Sequence, residues 1–195
     1  MPYLRLANSV RVWEHLYLPE TQKLEILRAV ELFERGDPGA PHGLLLAGPS
    51  GVGKSLLGKT IAETAGCSFQ HLTPATLKLD HLGGSGRKVH EVWEEARRNA
   101  PSILYLDECE GILGRRGSAE ADVISTEIVQ AFLAEWDGLD KGSQVWVIGA
   151  TNRRDLLDDA ILSRFGWEMQ INLPSEENRI LILQKEAKEA ELDLL

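Results

Sequence analysis

The sequence predicts an α/β domain in which a parallel five-stranded sheet is flanked by helices. Three observations predict it. Five short apolar blocks recur along the chain, segments of helical periodicity separate them, and a glycine-rich loop joins the first block to the helix behind it. Strands that alternate with helices pair in parallel, because a right-handed crossover long enough to hold a helix links each strand to the next. The 195 residues suit one domain, which buries roughly 70% of its unfolded surface. Hydrophobic residues make up 43% and charged residues 26%, so disordered, collagen-like and low-complexity classes are excluded.

Taken in order, Leu24, Ile26, Leu27, Val30 and Phe33 recur at helical spacing between Leu18 and Arg35, with Pro19 near the start and Gly36 past the end. Residues 37–41 are a turn rich in proline and glycine, and Gly43 to Ala47 behind it reads as a strand buried on both faces. The further strands are Ser68 to Leu72, Ser102 to Asp107, Gln144 to Gly149 and Trp167 to Ile171. Between them lie helices at Lys54 to Ala65, Arg87 to Asn99, Asp122 to Trp136 and Asp158 to Ser163, and a last helix runs from Ser175 to about Leu192. Val89 and Trp93 face the core, and Cys109 reads as a small packing residue.

Charge and cysteine content narrow the partners. Lys and Arg number 21 against 30 Asp and Glu, and the net charge of −9 argues against nonspecific binding to nucleic acid or to membrane phosphates. Cys67 and Cys109 are too few for a disulfide framework and fit a reducing compartment. No apolar run exceeds four residues, so neither a membrane span nor a secretory signal is expected, and the expected location is cytoplasmic.

Gly48-Pro49-Ser50-Gly51-Val52-Gly53-Lys54-Ser55 fits G-x-x-x-x-G-K-[ST] directly between a strand and a helix, with Leu56 next. Glycines let backbone N–H groups turn inward onto phosphate oxygens at the positive end of the helix. Lys54 then reaches the β- and γ-phosphates, and the Ser55 hydroxyl is offered to Mg²⁺. The apolar strand block from Ile103 to Glu108 ends in two carboxylates, which in a doubly wound sheet sit beside the phosphate loop. Asp107 is the expected metal residue and Glu108 the one that polarises the attacking water, their side chains diverging as successive strand residues do.

Together these motifs resemble the AAA family of ATPases over nearly the whole chain. Residues 109–113 stand where that family has D-E-I-D-[AS] after the strand acids, and Trp136-Asp137-Gly138-Leu139 resembles its W-D-G segment. Residues 149–160 follow G-A-T-N-R-P-x-x-L-D-x-A, and the wording is closest to the katanin and spastin branch, whose members pull protein substrates apart. The resemblance implies a P-loop NTPase sheet of the AAA large-subdomain type, with ATP and Mg²⁺ as ligands. It implies that Asn152 is the sensor lining up the water and that Arg164 is an arginine finger entering a neighbour's site. It also implies a ring, hexameric in the family, acting on a protein substrate, with no nucleic acid partner.

The sequence departs from the family in places. Ser163 replaces the first of two arginines before Phe165, and His81 in Asp80-His81-Leu82-Gly83-Gly84 takes the aromatic place of the first pore loop. Leu16 and Tyr17 stand where the family borders adenine, so position rather than residue type transfers. Residues 114–117 read either as a second pore loop or as a solvated turn. The expected division is a nucleotide-binding domain over 1–174 and the first helix of a helical lid over 175–195, the rest of the lid lying outside this sequence. The leading expectation is ATP hydrolysis coupled to remodelling, disassembly or threading of a protein. The alternative is a nucleotide-binding switch or scaffold with little hydrolysis, which Ser163 and His81 favour; the carboxylate of Glu108 favours the first.

Overall fold

The computed structural model describes Trp13 and residues 16–78, 84–115, 123–140 and 143–189. His81 with the rest of 79–83, and Arg116 and Gly117 of the second candidate pore loop, lie outside the described residues.

Apolar blocks with no polar face become the interior of a sheet covered on both sides. Strands β1 (Gly43–Ala47), β3 (Ser102–Leu106) and β4 (Val145–Thr151) are buried along their whole length, while β2 (Ser68–Leu72) and β5 (Trp167–Gln170) are partly open. They form one five-stranded sheet in the order β2-β3-β4-β1-β5, every pair parallel. The open strands are therefore the two edges.

Helices α1 (Glu20–Glu34), α2 (Lys54–Ala65), α4 (Gly84–Arg98), α5 (Val123–Asp137), α6 (Asp159–Phe165) and α7 (Glu176–Glu189) accompany the strands, and α3 (Pro74–Leu77) is one turn. Alternation along each strand divides the core in two. Leu44, Leu46, Ile103, Tyr105, Trp146 and Ile148 meet α1 and α2 through Phe33, Leu57 and Ile61. Leu45, Leu104, Leu106, Val145 and Val147 meet α4, α5 and α6 through Val89, Trp93, Phe132 and Phe165. Val89, Trp93 and Cys109 are fully buried, as their apolar settings require.

Of the boundaries that differ from the sequence reading, three move a site residue. β4 continues past Gly149 because Ala150 and Thr151 still pair with Leu46 and Ala47 of β1, which brings Asn152 to the strand's tip. β3 stops at Leu106, so Asp107 and Glu108 lie past the strand and their divergence is not that of strand neighbours. Glu108 instead turns into the left-handed region at φ 48° and starts a 3₁₀ turn over Cys109–Gly111. α6 continues to Phe165, a buried anchor, and ends at Gly166 with φ 63°, so Arg164 sits in a helix's last turn.

α4 also starts before Arg87, because Glu127 of α5 accepts a hydrogen bond from the Gly86 amide at 2.6 Å and caps that end. The short α3 and the 3₁₀ turns have too few residues to show a period in sequence.

Candidate functional site

The tips of β1, β3 and β4 lie side by side, so the residues that follow them converge. Gly48 follows β1, and a side chain there would begin 2.1 Å from the Ile171 carbonyl oxygen; Gly51 and Gly53 take φ of 79° and 89°. Only glycine meets both demands without strain, which is why the loop can curl back before α2 begins. Lys54 opens α2, and its ammonium donates to the carbonyls of Gly48 and Pro49, both at 2.8 Å, so it lies folded across the loop's concave side. Burial lowers its pKa against the opposing pull of Asp107 and Glu110.

Ser55 and Asp107, fifty-two positions apart, are in direct contact: the hydroxyl donates to Asp107 Oδ2 at 2.9 Å. Asp107 Oδ1 accepts from the Glu108 amide at 3.2 Å. Asn152 donates from Nδ2 to Ser50 Oγ at 3.0 Å, tying the tip of β4 to the phosphate loop. These groups surround one cavity of about 410 Å³, lined by Ser50, Gly51, Gly53, Lys54, Ser55 and Leu56, by Asp107, Glu108 and Glu110, and by Ala150, Thr151 and Asn152. A hydroxyl and a carboxylate in contact are hard oxygen donors of the kind Mg²⁺ takes when phosphates complete its shell. The residues present fit that ion. The site thus combines a glycine-rich loop, the Lys54 ammonium, a hard-donor pair and the further carboxylates of Glu108 and Glu110 at one cavity.

The sequence model of the family described as ATPases associated with various cellular activities (AAA) matches residues 44–173, from β1 through the end of β5. The chain belongs to the AAA family of ATPases. It is 39% identical over 170 residues to a proteasome-activating nucleotidase of Methanopyrus kandleri, covering 85% of this chain and 39% of that protein. It is 38% identical over 167 residues to spastin of Xenopus tropicalis, covering 84% of this chain and 27% of that one. An ATP-dependent zinc metalloprotease FtsH of Malacoplasma penetrans is 33% identical over 190 residues, 92% of this chain and 23% of the protease. The chain therefore spans well under half the length of these relatives.

Other residues expected in an AAA site lie apart from the cavity. Arg164 is turned toward α5, where its guanidinium grips Asp137 of the Trp136-Asp137-Gly138-Leu139 segment in a fork of 2.5 and 3.0 Å. That fork holds the Asp137 carboxyl below its usual range and the guanidinium above its own. Leu16 packs beside the loop, 3.9 Å from where a side chain on Gly53 would begin, and Tyr17 is half-buried; neither lines the cavity. Val52 packs against the core cluster with Leu16. Arg115 pairs with Asp159 at 3.4 Å and its amide bonds the Leu156 carbonyl, so the start of the second candidate pore loop is fastened to the β4–α6 connection.

Two residues beside the site carry no role in the sequence reading. Glu110 lines the cavity with one buried carboxyl oxygen lacking a protein partner, and its position within the D-E-I-D-like stretch was the available signal. His71 reaches Asp107 Oδ2 from β2 at 3.2 Å, and no motif marks it.

Proposed function

We propose that this AAA domain binds ATP with Mg²⁺ and hydrolyses it, and that in a ring of subunits the turnover drives remodelling, disassembly or threading of a protein substrate. The observation that carries the reading is the Ser55–Asp107 contact, which joins the phosphate loop to the acidic strand tip within a cavity that Glu108 and Asn152 also reach. Backbone amides of residues 50–53 and the Lys54 ammonium would hold the phosphates, the lysine releasing its two carbonyl contacts for them. Ser55 and Asp107 would hold Mg²⁺, which when bound neutralises charge developing on the phosphoryl oxygens. Glu108 takes the proton of the attacking water and Asn152 orients that water. Arg164 completes a neighbour's site, where a finger supplied in trans is worth on the order of 10³ to 10⁵ in rate. The names of two relatives, a proteasome-activating nucleotidase and an ATP-dependent zinc metalloprotease, support a protein substrate.

Lys54→Ala separates this reading from a fortuitous glycine turn: ATP affinity measured by calorimetry should collapse, and an unchanged affinity removes the reading. Glu108→Gln should bind ATP yet turn it over at least about 10²-fold more slowly, the scale of a positioned base. A second reading, a switch with little hydrolysis, is favoured by Ser163 in place of an arginine and by the engagement of Arg164 with Asp137 of its own chain. Under it, wild-type turnover would already match that of Glu108→Gln at every protein concentration.

A further inference from the structure

We infer that His71 is a positioning residue for the cation side of this site: it holds the Asp107 carboxylate against Ser55 and so sets how strongly a divalent ion joins the nucleotide. The inference rests on reading Ser55 and Asp107 as the protein contacts of that ion.

Asp107 lies just beyond the end of β3, where its amide still donates to the Leu72 carbonyl of β2 at 2.8 Å, a backbone bond that leaves the side-chain torsions unfixed. A carboxylate at the end of an sp³–sp² torsion rotates freely unless donors pin it. Its Oδ1 has the Glu108 amide at 3.2 Å, and its Oδ2 has two donors, Ser55 Oγ at 2.9 Å and His71 Nε2 at 3.2 Å. A carboxylate only accepts, so the His71 nitrogen facing it carries the proton. Ser55 cannot act as the fixed support, because its oxygen is the atom offered to the ion. Among the described residues His71 is the remaining side-chain donor, and it approaches from a different strand.

The imidazole is itself held in place although its side chain is 43% exposed. It pairs across the ladder with Tyr105 in register, and the two rings lie 5.6 Å apart. Phe69 stacks on Tyr105 at 5.7 Å and stands 6.5 Å from the imidazole. Tyr105 is fully buried and lies against Gly58 on α2, the same helix that carries Ser55. A three-ring wall thus links the helix bearing one cation contact to the strand tip bearing the other. His71 is the member of the wall that reaches the carboxylate. Partners of this kind typically change metal affinity about 10- to 100-fold when removed.

The test measures ADP binding to the full chain by calorimetry, with Mg²⁺ and with chelator, in wild type, His71→Leu and His71→Gln. The ratio of the two affinities isolates the ion's contribution, and the chelator arm controls for folding and for the phosphate loop. His71→Leu should reduce the ratio about ten-fold and leave the chelator affinity unchanged. His71→Gln, which offers an N–H at similar reach, should restore most of the ratio. The inference is overturned if His71→Leu keeps the wild-type ratio, if both affinities fall together, or if the glutamine variant behaves as the leucine one does. A wild type with no magnesium gain would overturn the reading of Ser55 and Asp107 and take the His71 role with it, an outcome visible before any variant is made.

Discussion

Glu108 occupies a backbone conformation that a glutamate rarely adopts: φ 48° and ψ 48° lie in the left-handed region. The location has a physical cause. β3 ends at Leu106, Cys109 must turn inward to the core, and a left-handed residue between them reverses the chain in one step while leaving its side chain at the cavity. Left-handed backbone costs a non-glycine residue on the order of 1 kcal/mol or more. Asparagine tolerates that conformation better and lacks a basic carboxylate, so Glu108→Asn should unfold at a higher temperature than wild type while losing turnover. An unfolding temperature at or below wild type, by calorimetric scan, would show that no strain is stored there.

At the scale of elements, α4 and α5 are fastened at both ends. Glu127 caps the start of α4, and near the other end Glu135 of α5 is held by His90 at 2.6 Å and Arg97 at 2.6 Å, with Arg97 also bonded to Glu94 and lying over Trp93. Burial raises the Glu135 pKa, but the hydrogen bonds from His90 and Arg97 outweigh it and the net shift is downward. The Glu135 hydrogen bond raises the pKa of His90. A histidine raised in the folded state contributes stability that is fully present below its unfolded value near 6.5 and is lost as pH rises through the folded value. The unfolding-temperature difference between wild type and His90→Ala should therefore be largest near pH 6 and shrink toward pH 9. A difference independent of pH would mean that the contact acts through packing alone. Because His90 is exposed, salt should also diminish the effect.

At the scale of the whole molecule, Lys54 and Glu108 line the cavity while Arg164 on α6 is engaged with Asp137, and the proposal that Arg164 acts on another copy is tested by complementation. Mixing Arg164→Ala with Lys54→Ala should restore turnover that neither variant shows alone, provided subunits exchange. If exchange is confirmed by a fluorescence-transfer signal and the mixture stays inactive, Arg164 has no role in trans. Most of this architecture was legible before folding. The five apolar blocks, the glycine loop and the acids after Leu106 are local patterns, and burial on both faces of a strand or a tight turn around phosphates demands particular residue types at fixed spacing. That the acids after Leu106 lie beside the phosphate loop was expected, since it follows from a doubly wound sheet; the strand order, the direct contact of Ser55 with Asp107 and the tying of Asn152 to Ser50 were not read from the sequence. Tertiary structure alone decided the rest. Whether β4 ends at Gly149 or Thr151 depends on pairing with β1, and whether Arg164 ends a helix depends on the burial of Phe165. That Asp137 holds Arg164, and that His71, which belongs to no motif, reaches Asp107 alongside Ser55, depends on which side chains an edge strand and two helix ends bring within 3 Å or so of each other. Such contacts are made between residues 27 and 36 positions apart, and no local spacing encodes them, because the free energy that selects them comes from packing the sheet and its helices together.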